Sequence, residues 1–274
     1  MRALPKVSPG GSEEFFVPAV RIENLRETIA HLEAPAAAEA RPPRPLGVEP
    51  LDRVLGGGLQ AGALHEVRAE GADAPSSFGF ALALAIRLCP PPLPLLHVTL
   101  PHVGGEWGRP YGPGLSAFGL DPGRILFVEA KRPSDALWAA EEGLFCAALG
   151  AVVLEIPGEP AAVDLTATRR LSLRAARHGV SALLVRPGGG GEATAATTRW
   201  QVAPLAGPAD PSFVLPPPAW RARLERNRGG RGGSWSLSWR PDVLSFAPHA
   251  TLSVASSATS ADRAAAAGPR RRAV

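Results

Sequence analysis

Residues Gly71 to Phe78 have part of the spacing of a phosphate-binding motif. A phosphate-binding P-loop consists of Gly, four residues, Gly-Lys and then Ser or Thr. Here the four residues after Gly71 are followed by Ser76, Ser77 and Phe78. Backbone N–H groups could still hold an anion there, but no Lys reaches the β/γ-phosphates and no hydroxyl is placed for Mg²⁺. The stretch predicts the frame of a phosphate-binding loop without its chemistry.

This loop lies in a sequence of short apolar strands that alternate with helices. This alternation predicts a mostly parallel sheet with right-handed crossovers. The predicted strands are 64–69, 95–100, 125–128, 151–156, 180–185 and 198–205, and the predicted helices are 78–88, 111–118, 134–149 and 164–178. Two further strands, 220–227 and 234–239, predict a C-terminal hairpin.

The third helix is predicted to start at an N-cap, Ser134 or Asp135. Its apolar spacing predicts that Trp138, Phe145 and Leu149 share one face, and that Cys146 is a buried thiol.

Composition narrows the class of protein. Gly and Pro number thirty each among 274 residues, which is typical of linkers and tails around a smaller folded part. Two cysteines make neither a disulfide framework nor a metal site. The sequence has no charged segment followed by an apolar run of the kind found in signal peptides, and no apolar run is long enough to span a membrane, so we expect a cytoplasmic protein with no membrane partner.

Arginine-rich stretches are candidate partner or DNA interfaces. Arg170, Arg174 and Arg177 form one stripe of a predicted helix, and the alternative is a solvated outer face. The predicted hairpin carries a second, basic and aromatic set, for which the alternative is tryptophans covering the core and solvated arginines. That set is Trp220, Arg221, Arg223, Arg226, Arg228, Trp235 and Trp239.

Three other segments have simpler interpretations. Residues 17–32 form an amphipathic pattern with Ile22, Leu25, Ile29 and Leu32 on one side, and a helix this short must dock on the main domain or on a partner. The Gly-rich loop at 188–191, followed by Arg199 as its single basic residue, is interpreted as a flexible loop. The tail after residue 246 is interpreted as disordered.

Four segments together resemble the ImuA family, whose core is similar to that of RecA. They are GVEPLDRVLGGGLQAGALHEV, GPGLSAFGLDPGRILFVEAKRPSDALWAAEEGL, VDLTATRRLSLRAARHGVSALLVRP and RNRGGRGGSWSLSW. The resemblance implies an α/β fold: a RecA-like three-layer core with a mostly parallel sheet, an N-terminal helix, a C-terminal β-hairpin and a disordered tail. The implied divisions are 1–33, a linker at 34–46, the core at 47–207, the hairpin at 208–246 and the tail at 247–274.

The resemblance also implies which residues stand at the positions of a working ATPase. Gly71, Ser76, Ser77 and Phe78 occupy the P-loop, Glu155 the Walker B position, and a place near Pro101 that of the catalytic Glu. From these departures we expect no ATP hydrolysis, no enzyme activity, no cofactor and no metal. Glu155 has the alternative role of a strand-end residue held by a local hydrogen bond.

The function implied by the resemblance is an accessory role in SOS mutagenesis and translesion DNA synthesis. Its implied partners are a Y-family polymerase-like subunit and an error-prone replicative-type polymerase, with RecA and DNA as further candidates. Such a protein would be nucleoid-associated when bound to them. Two alternatives stay open: a regulator of RecA filaments, and an ATP-dependent DNA-binding enzyme with an atypical P-loop.

Overall fold

The computed structural model describes residues 41–101, 108–189, 191–206 and 216–249. The predicted helix at 17–32 and almost all of the predicted tail lie outside these residues. The helices, in chain order, are α1 Glu49–Val54, α2 Ser76–Leu88, α3 Gly112–Ala117, α4 Pro133–Phe145 and α5 Leu165–His178. The strands are β1 Leu64–Ala69, β2 Leu95–Thr99, β3 Ile125–Glu129, β4 Ala151–Glu155, β5 Ser181–Pro187, β6 Thr198–Pro204, β7 Ala219–Asn227, β8 Gly233–Arg240 and β9 Ser245–Pro248.

All nine strands form one sheet in the order β3-β2-β4-β5-β1-β6-β7-β8-β9. The six strands from β3 to β6 pair in parallel, and β7, β8 and β9 continue the sheet as antiparallel neighbours. The inner strands β4 and β5 are fully buried because helices cover both of their faces, whereas the edge strand β3 is mostly exposed. The predicted α/β class, with a RecA-like core and a C-terminal hairpin, is confirmed.

Two hydrophobic clusters, one on each face of the sheet, make three layers. The first cluster contains α1, α2 and α3 together with Trp200, Trp220, Trp239 and Phe246 from the antiparallel half of the sheet. The second lies under α4 and α5. Among the described residues, no helix combines the length and the apolar character that crossing a membrane requires.

Helix α5 begins and ends at residues whose types are typical of helix ends. Asp164 is its N-cap, and its Oδ1 accepts a hydrogen bond of 2.6 Å from the backbone N–H of Ala167. Gly179 follows the last helical residue with φ +69°, a left-handed conformation that suits glycine. The helix bounds lie within one residue of the predicted 164–178.

Helix α4 departs from its prediction at both ends. It begins at Pro133 with Arg132 as N-cap and ends at Phe145, four residues before the predicted end at Leu149. The break at Cys146 leaves that thiol exposed, so the predicted buried cysteine is wrong. Cys89, the other cysteine, is buried at the end of α2.

Strand β9 was missed by sequence reasoning. It pairs with β8, and the pairing takes in residues 247 and 248, which the sequence assigned to the tail. Near the start of the described chain, Arg44 exchanges backbone hydrogen bonds with Leu59 and Leu46 is fully buried. The end of the predicted Pro/Ala linker therefore lies on the folded core.

Candidate functional site

The strand, loop and helix predicted around Gly71 are present. Strand β1 ends at Ala69, a 3₁₀ turn spans Gly71–Asp73, and α2 begins at Ser76. Gly71 has φ +50°, a conformation that favours glycine. The backbone frame of a phosphate loop is therefore retained at the carboxyl end of β1.

The side chains at the two P-loop positions that contact phosphate and Mg²⁺ have internal partners instead. Ser77 is fully buried, and its Oγ donates a hydrogen bond of 2.6 Å to the carbonyl oxygen of Ala74. The ring of Phe78 packs against His97 with the ring centroids 4.9 Å apart. Neither side chain is available to a ligand in the loop.

Glu155, at the Walker B position, is also enclosed. It ends β4 on the same face as His97 of β2, and its Oε2 lies 3.2 Å from Nε2 of His97. Phe127 of β3 covers the other side of that histidine, with centroids 5.7 Å apart. The alternative that a local hydrogen bond holds Glu155 is the arrangement observed.

A nucleotide triphosphate with Mg²⁺ does not fit these side chains. Mg²⁺ needs oxygen ligands in an octahedral shell that keeps several waters. The space beside Glu155 is instead bounded by His97, Phe78 and Phe127. Among the residues that the structure describes, no group of three His, Cys, Asp or Glu side chains could hold a metal ion.

The predicted arginine stripe lies on α5, where two of its three members contact α4. Arg170 Nε donates a hydrogen bond of 3.0 Å to Oε1 of Glu141, and Arg174 Nη1 lies 3.0 Å from Oε2 of the same carboxylate. Glu141 is nearly buried between the helices. Arg177 lies exposed in the last turn. The stripe is therefore partly an interhelical ion pair and partly a free cationic surface.

Two aromatic side chains lie exposed on α4 beside this stripe. Trp138 is 66% exposed and Phe145 is 46% exposed. The guanidinium carbon of Arg174 lies 4.4 Å from the centroid of the Phe145 ring, and His178 meets the same ring edge to face at 4.8 Å. Arginine on an aromatic ring, with a tryptophan nearby, is the composition that protein interfaces favour.

The sequence analysis assigned Trp138 and Phe145 to the buried side of α4, and that prediction is wrong. The buried side consists of Ala136, Leu137, Ala140 and Leu144. Small alanines let the helix lie close to the sheet, which turns the large rings outward. We call the surface formed by Trp138, Phe145, Arg170, Leu173, Arg174 and Arg177 the outer helical face.

The predicted basic and aromatic hairpin is split between the two faces of the sheet. Trp220 and Trp239 are buried on the α2 side, where their ring N–H groups donate to Ser76 O at 3.1 Å and to Phe118 O at 2.8 Å. Trp235 is partly buried against the same core. Alternation along β7 turns Arg221 and Arg223 to the opposite, exposed face. The tryptophans therefore do not share a surface with these arginines.

The remaining hairpin arginines are at its far end. Arg226 Nη1 donates a hydrogen bond of 2.6 Å to the carbonyl oxygen of Thr194, and Arg228 is exposed in the turn after β7. Whether the exposed members contact DNA or a partner stays a prediction.

A buried charged network that sequence reasoning missed fixes the Gly-rich loop. Glu66 of β1 is fully buried and accepts hydrogen bonds from Arg68 Nε at 2.6 Å and Arg199 Nε at 2.9 Å. Thr194 also donates to this carboxylate, and Arg186 Nη1 lies 3.8 Å away. A signal was present in the sequence: Glu66 and Arg68 alternate on one side of a strand that is predicted to lie inside the sheet.

The loop itself is held by its backbone. Both Arg68 Nη2 and Arg199 Nη2 donate to the carbonyl oxygen of Glu192, at 3.0 and 2.8 Å. A cavity of about 160 Å³ beside the loop is lined by these two arginines and also by Glu70 and Glu225. Because both signs of charge line it, the cavity does not have the character of a phosphate pocket.

Comparison with known proteins finds relatives that carry the name Protein ImuA. The chain is 33% identical over 199 residues to Protein ImuA of Caulobacter vibrioides strain NA1000, an alignment that covers 66% of this chain and 77% of the relative. The protein of the same name from strain ATCC 19089 matches to the same extent. No protein-family model matches the chain.

Proposed function

Because this chain belongs to the ImuA family, we propose that it is a non-catalytic, RecA-like accessory protein of SOS mutagenesis and translesion DNA synthesis. In this role it binds a Y-family polymerase-like subunit that works with an error-prone replicative-type polymerase. The observation that carries the proposal is the packing of Ser77, Phe78, His97 and Glu155 at the nucleotide position.

Phosphoryl transfer depends on positioned cations because the protein has little covalent chemistry to do in that reaction. The P-loop lysine and the metal-binding hydroxyl supply that positioning. In this chain a buried serine and a phenylalanine stand in their places, and both support the core. A RecA-like fold whose nucleotide position is packed with side chains supports a function that depends on binding at the protein surface.

The outer helical face supports the adaptor part of the proposal. Hot spots of protein interfaces are enriched in tryptophan and arginine. Trp138 and the neighbouring arginines supply both residue types, and large exposed apolar side chains commonly mark interaction sites. We therefore place the polymerase-like partner on this face.

The test is co-expression of the full chain with the polymerase-like subunit and, separately, with RecA, followed by co-purification at physiological salt with and without ATP. We expect an ATP-independent complex with the polymerase-like subunit and no ATP turnover by the isolated chain. Turnover by the isolated chain would overturn the non-catalytic assignment. A complex with RecA alone would favour the filament-regulator alternative.

A matched pair of variants locates the contact. We expect Trp138→Ala combined with Phe145→Ala to weaken the complex about tenfold or more, as for interface anchors. Tyr111→Ala is the control, since Tyr111 is a 73% exposed aromatic residue before α3, away from α4 and α5. Equal affinity of the double variant and the control would remove the outer helical face from the interface.

A further inference from the structure

The described residues leave the large apolar side chains of the outer helical face between 46% and 66% exposed. Trp138 and Phe145 are seven residues apart on α4, so their side chains project from the same side about 10 Å apart. Leu173 of α5 is 51% exposed on the same outer layer. Three large apolar side chains are thus exposed on two helices that pack against each other, and exposed apolar surface of this kind commonly marks interaction sites.

The described chain begins at one end of this face. Gln60 Nε2 donates a hydrogen bond of 2.8 Å to the carbonyl oxygen of Arg41. The guanidinium of Arg41 covers Gly179, where an added Cβ would lie 2.5 Å from the guanidinium carbon. Gly179 directly follows His178, whose ring packs on Phe145. Arg41, the first described residue, therefore lies beside the Phe145 end of the face.

The sequence before Arg41 contains a segment of matching character. Residues 17–32 place Ile22, Leu25, Ile29 and Leu32 on one side of a predicted helix. The eight residues 33–40 can span at most about 27 Å. Helix α5, with fourteen residues, is about 21 Å long. The tether is thus long enough for the segment to reach any part of the face.

We propose that residues 17–32 dock as an amphipathic helix on the outer helical face of their own chain and cover Trp138 and Phe145. Docking removes two apolar surfaces from water at once, and a short tether raises the effective concentration of the segment. This step rests on the proposed function: the polymerase-like partner displaces residues 17–32 when it binds.

Cys146 provides a reporter in the full chain. It is exposed and directly follows Phe145, whereas the other cysteine, Cys89, is buried and burial raises the pKa of its thiol. Alkylation by a maleimide therefore reads the accessibility of the covered face. We expect Leu25→Asp combined with Ile29→Asp to increase the alkylation rate roughly tenfold, as for a cover that is open about a tenth of the time.

The control adds the same charge to the opposite side of the segment. Asn24→Asp combined with His31→Asp leaves the apolar side intact and is expected to alkylate at the wild-type rate. If the two double variants alkylate at the same rate, the proposal is overturned.

A crosslink separates an intramolecular cover from a contact between two chains. Glu33→Cys places a thiol at the end of the segment, and a short bis-maleimide would join it to Cys146. We expect a crosslinked monomer whose yield is independent of protein concentration. A crosslinked dimer, or no crosslink, overturns the proposal. If the monomer crosslink forms but the polymerase-like subunit does not bind, only the proposed function fails.

Discussion

Helices α2 and α4 have the same length, thirteen residues, and pack on opposite faces of one sheet, yet they are covered very differently. Helix α2 is enclosed, because the sheet lies on one side and tryptophans from β7 and β8 extend the same core around it. Helix α4 has the sheet on one side and α5 beside it, and its outer side carries Trp138 and Phe145.

The difference in how the two helices are covered indicates which surface a partner could bind. On the α2 side, Ser77 and Phe78 contribute to packing. On the α4 side, the described residues leave two aromatic rings largely uncovered. The surface with room for a partner is therefore the apolar and cationic one on the α4 layer.

The largest test of this comparison removes one aromatic ring from each side. Phe80 of α2 is fully buried and lies within 5.6 Å, centroid to centroid, of Trp200, Trp220 and Phe246. We expect Phe80→Ala to lower the free energy of unfolding by about 3–5 kcal/mol. Trp138→Ala should change it by no more than about 1.4 kcal/mol, the stabilisation from a cover that is open about a tenth of the time. Urea unfolding of both variants measures the contrast, and similar losses would mean that the outer helical face is core.

A second test asks how strictly the α2 side excludes charge. His65 of β1 is fully buried and hydrogen-bonded at both nitrogens, to Thr198 Oγ1 and to the carbonyl oxygen of Gln60, each at 2.8 Å. Burial lowers the pKa of His65 from 6.5 to about 4, despite the opposing effect of the Gln60 hydrogen bond. Between about pH 6.5 and pH 4, His65 is protonated in the unfolded chain and neutral in the folded chain.

The stabilisation from neutral His65 is therefore complete above about pH 6.5 and is lost progressively as the pH falls towards 4. The full loss is about 3 kcal/mol, from 1.4 kcal/mol for each pH unit. Urea unfolding of wild type and His65→Gln between pH 7.5 and 4.5 measures it. The substitution lowers stability at every pH, but its curve should be flatter in this window, and parallel curves would contradict the assignment.

The elements themselves followed from sequence to a large extent. The parallel strands were found because a strand buried on both faces must be a continuous apolar run, as in β4 and β5. Alternation in β7 places Trp220 and Leu224 on one face and Arg221 and Arg223 on the other, as the period of any strand requires. Strand β9 was missed because four residues ending in proline carry little pattern.

The candidate site was less predictable for a physical reason. Apolar spacing on α4 cannot say which of two stripes is buried, and the one with alanines packs closer to the sheet than the one with Trp138. The network around Glu66 depends on residues from β1, β5, β6 and the loop between the last two, which only the tertiary structure brings together. The absence of the P-loop Lys and hydroxyl residue types at Ser77 and Phe78, in contrast, can be read directly from the sequence.

A third test replaces one glycine in α4 and one in α2, and so compares how closely each helix is packed around that position. A Cβ on Gly143 of α4 would overlap Leu96 Cδ2 and come within 3.2 Å of Val152 Cγ2, whereas one on Gly79 of α2 would meet only Trp220 Cζ2 at 3.3 Å. Alanine favours a helix by about 1 kcal/mol over glycine, but overpacking costs about 1–3 kcal/mol. We expect Gly143→Ala to destabilise by about 1 kcal/mol and Gly79→Ala to be neutral or stabilising in thermal unfolding. The reverse order would show that α4 is the looser of the two helices on its inner side as well.

The smallest expected effect concerns the charge that α4 tolerates at its boundary with α5. Glu141 is nearly buried and pairs with Arg170 and Arg174, while its neighbour Glu142 is exposed. Both arginines retain contact with water, so solvent screening reduces the value of the pair and we expect Glu141→Gln to cost roughly 0.5–1 kcal/mol. Glu142→Gln is the matched control and should cost nothing measurable. Because salt screens such pairs, the gap between the two variants should narrow when urea unfolding is repeated at about 1 M salt. A gap that is absent at low salt would mean that α4 and α5 are joined by apolar packing alone, and the arginines of the outer helical face would then be free to serve a partner entirely.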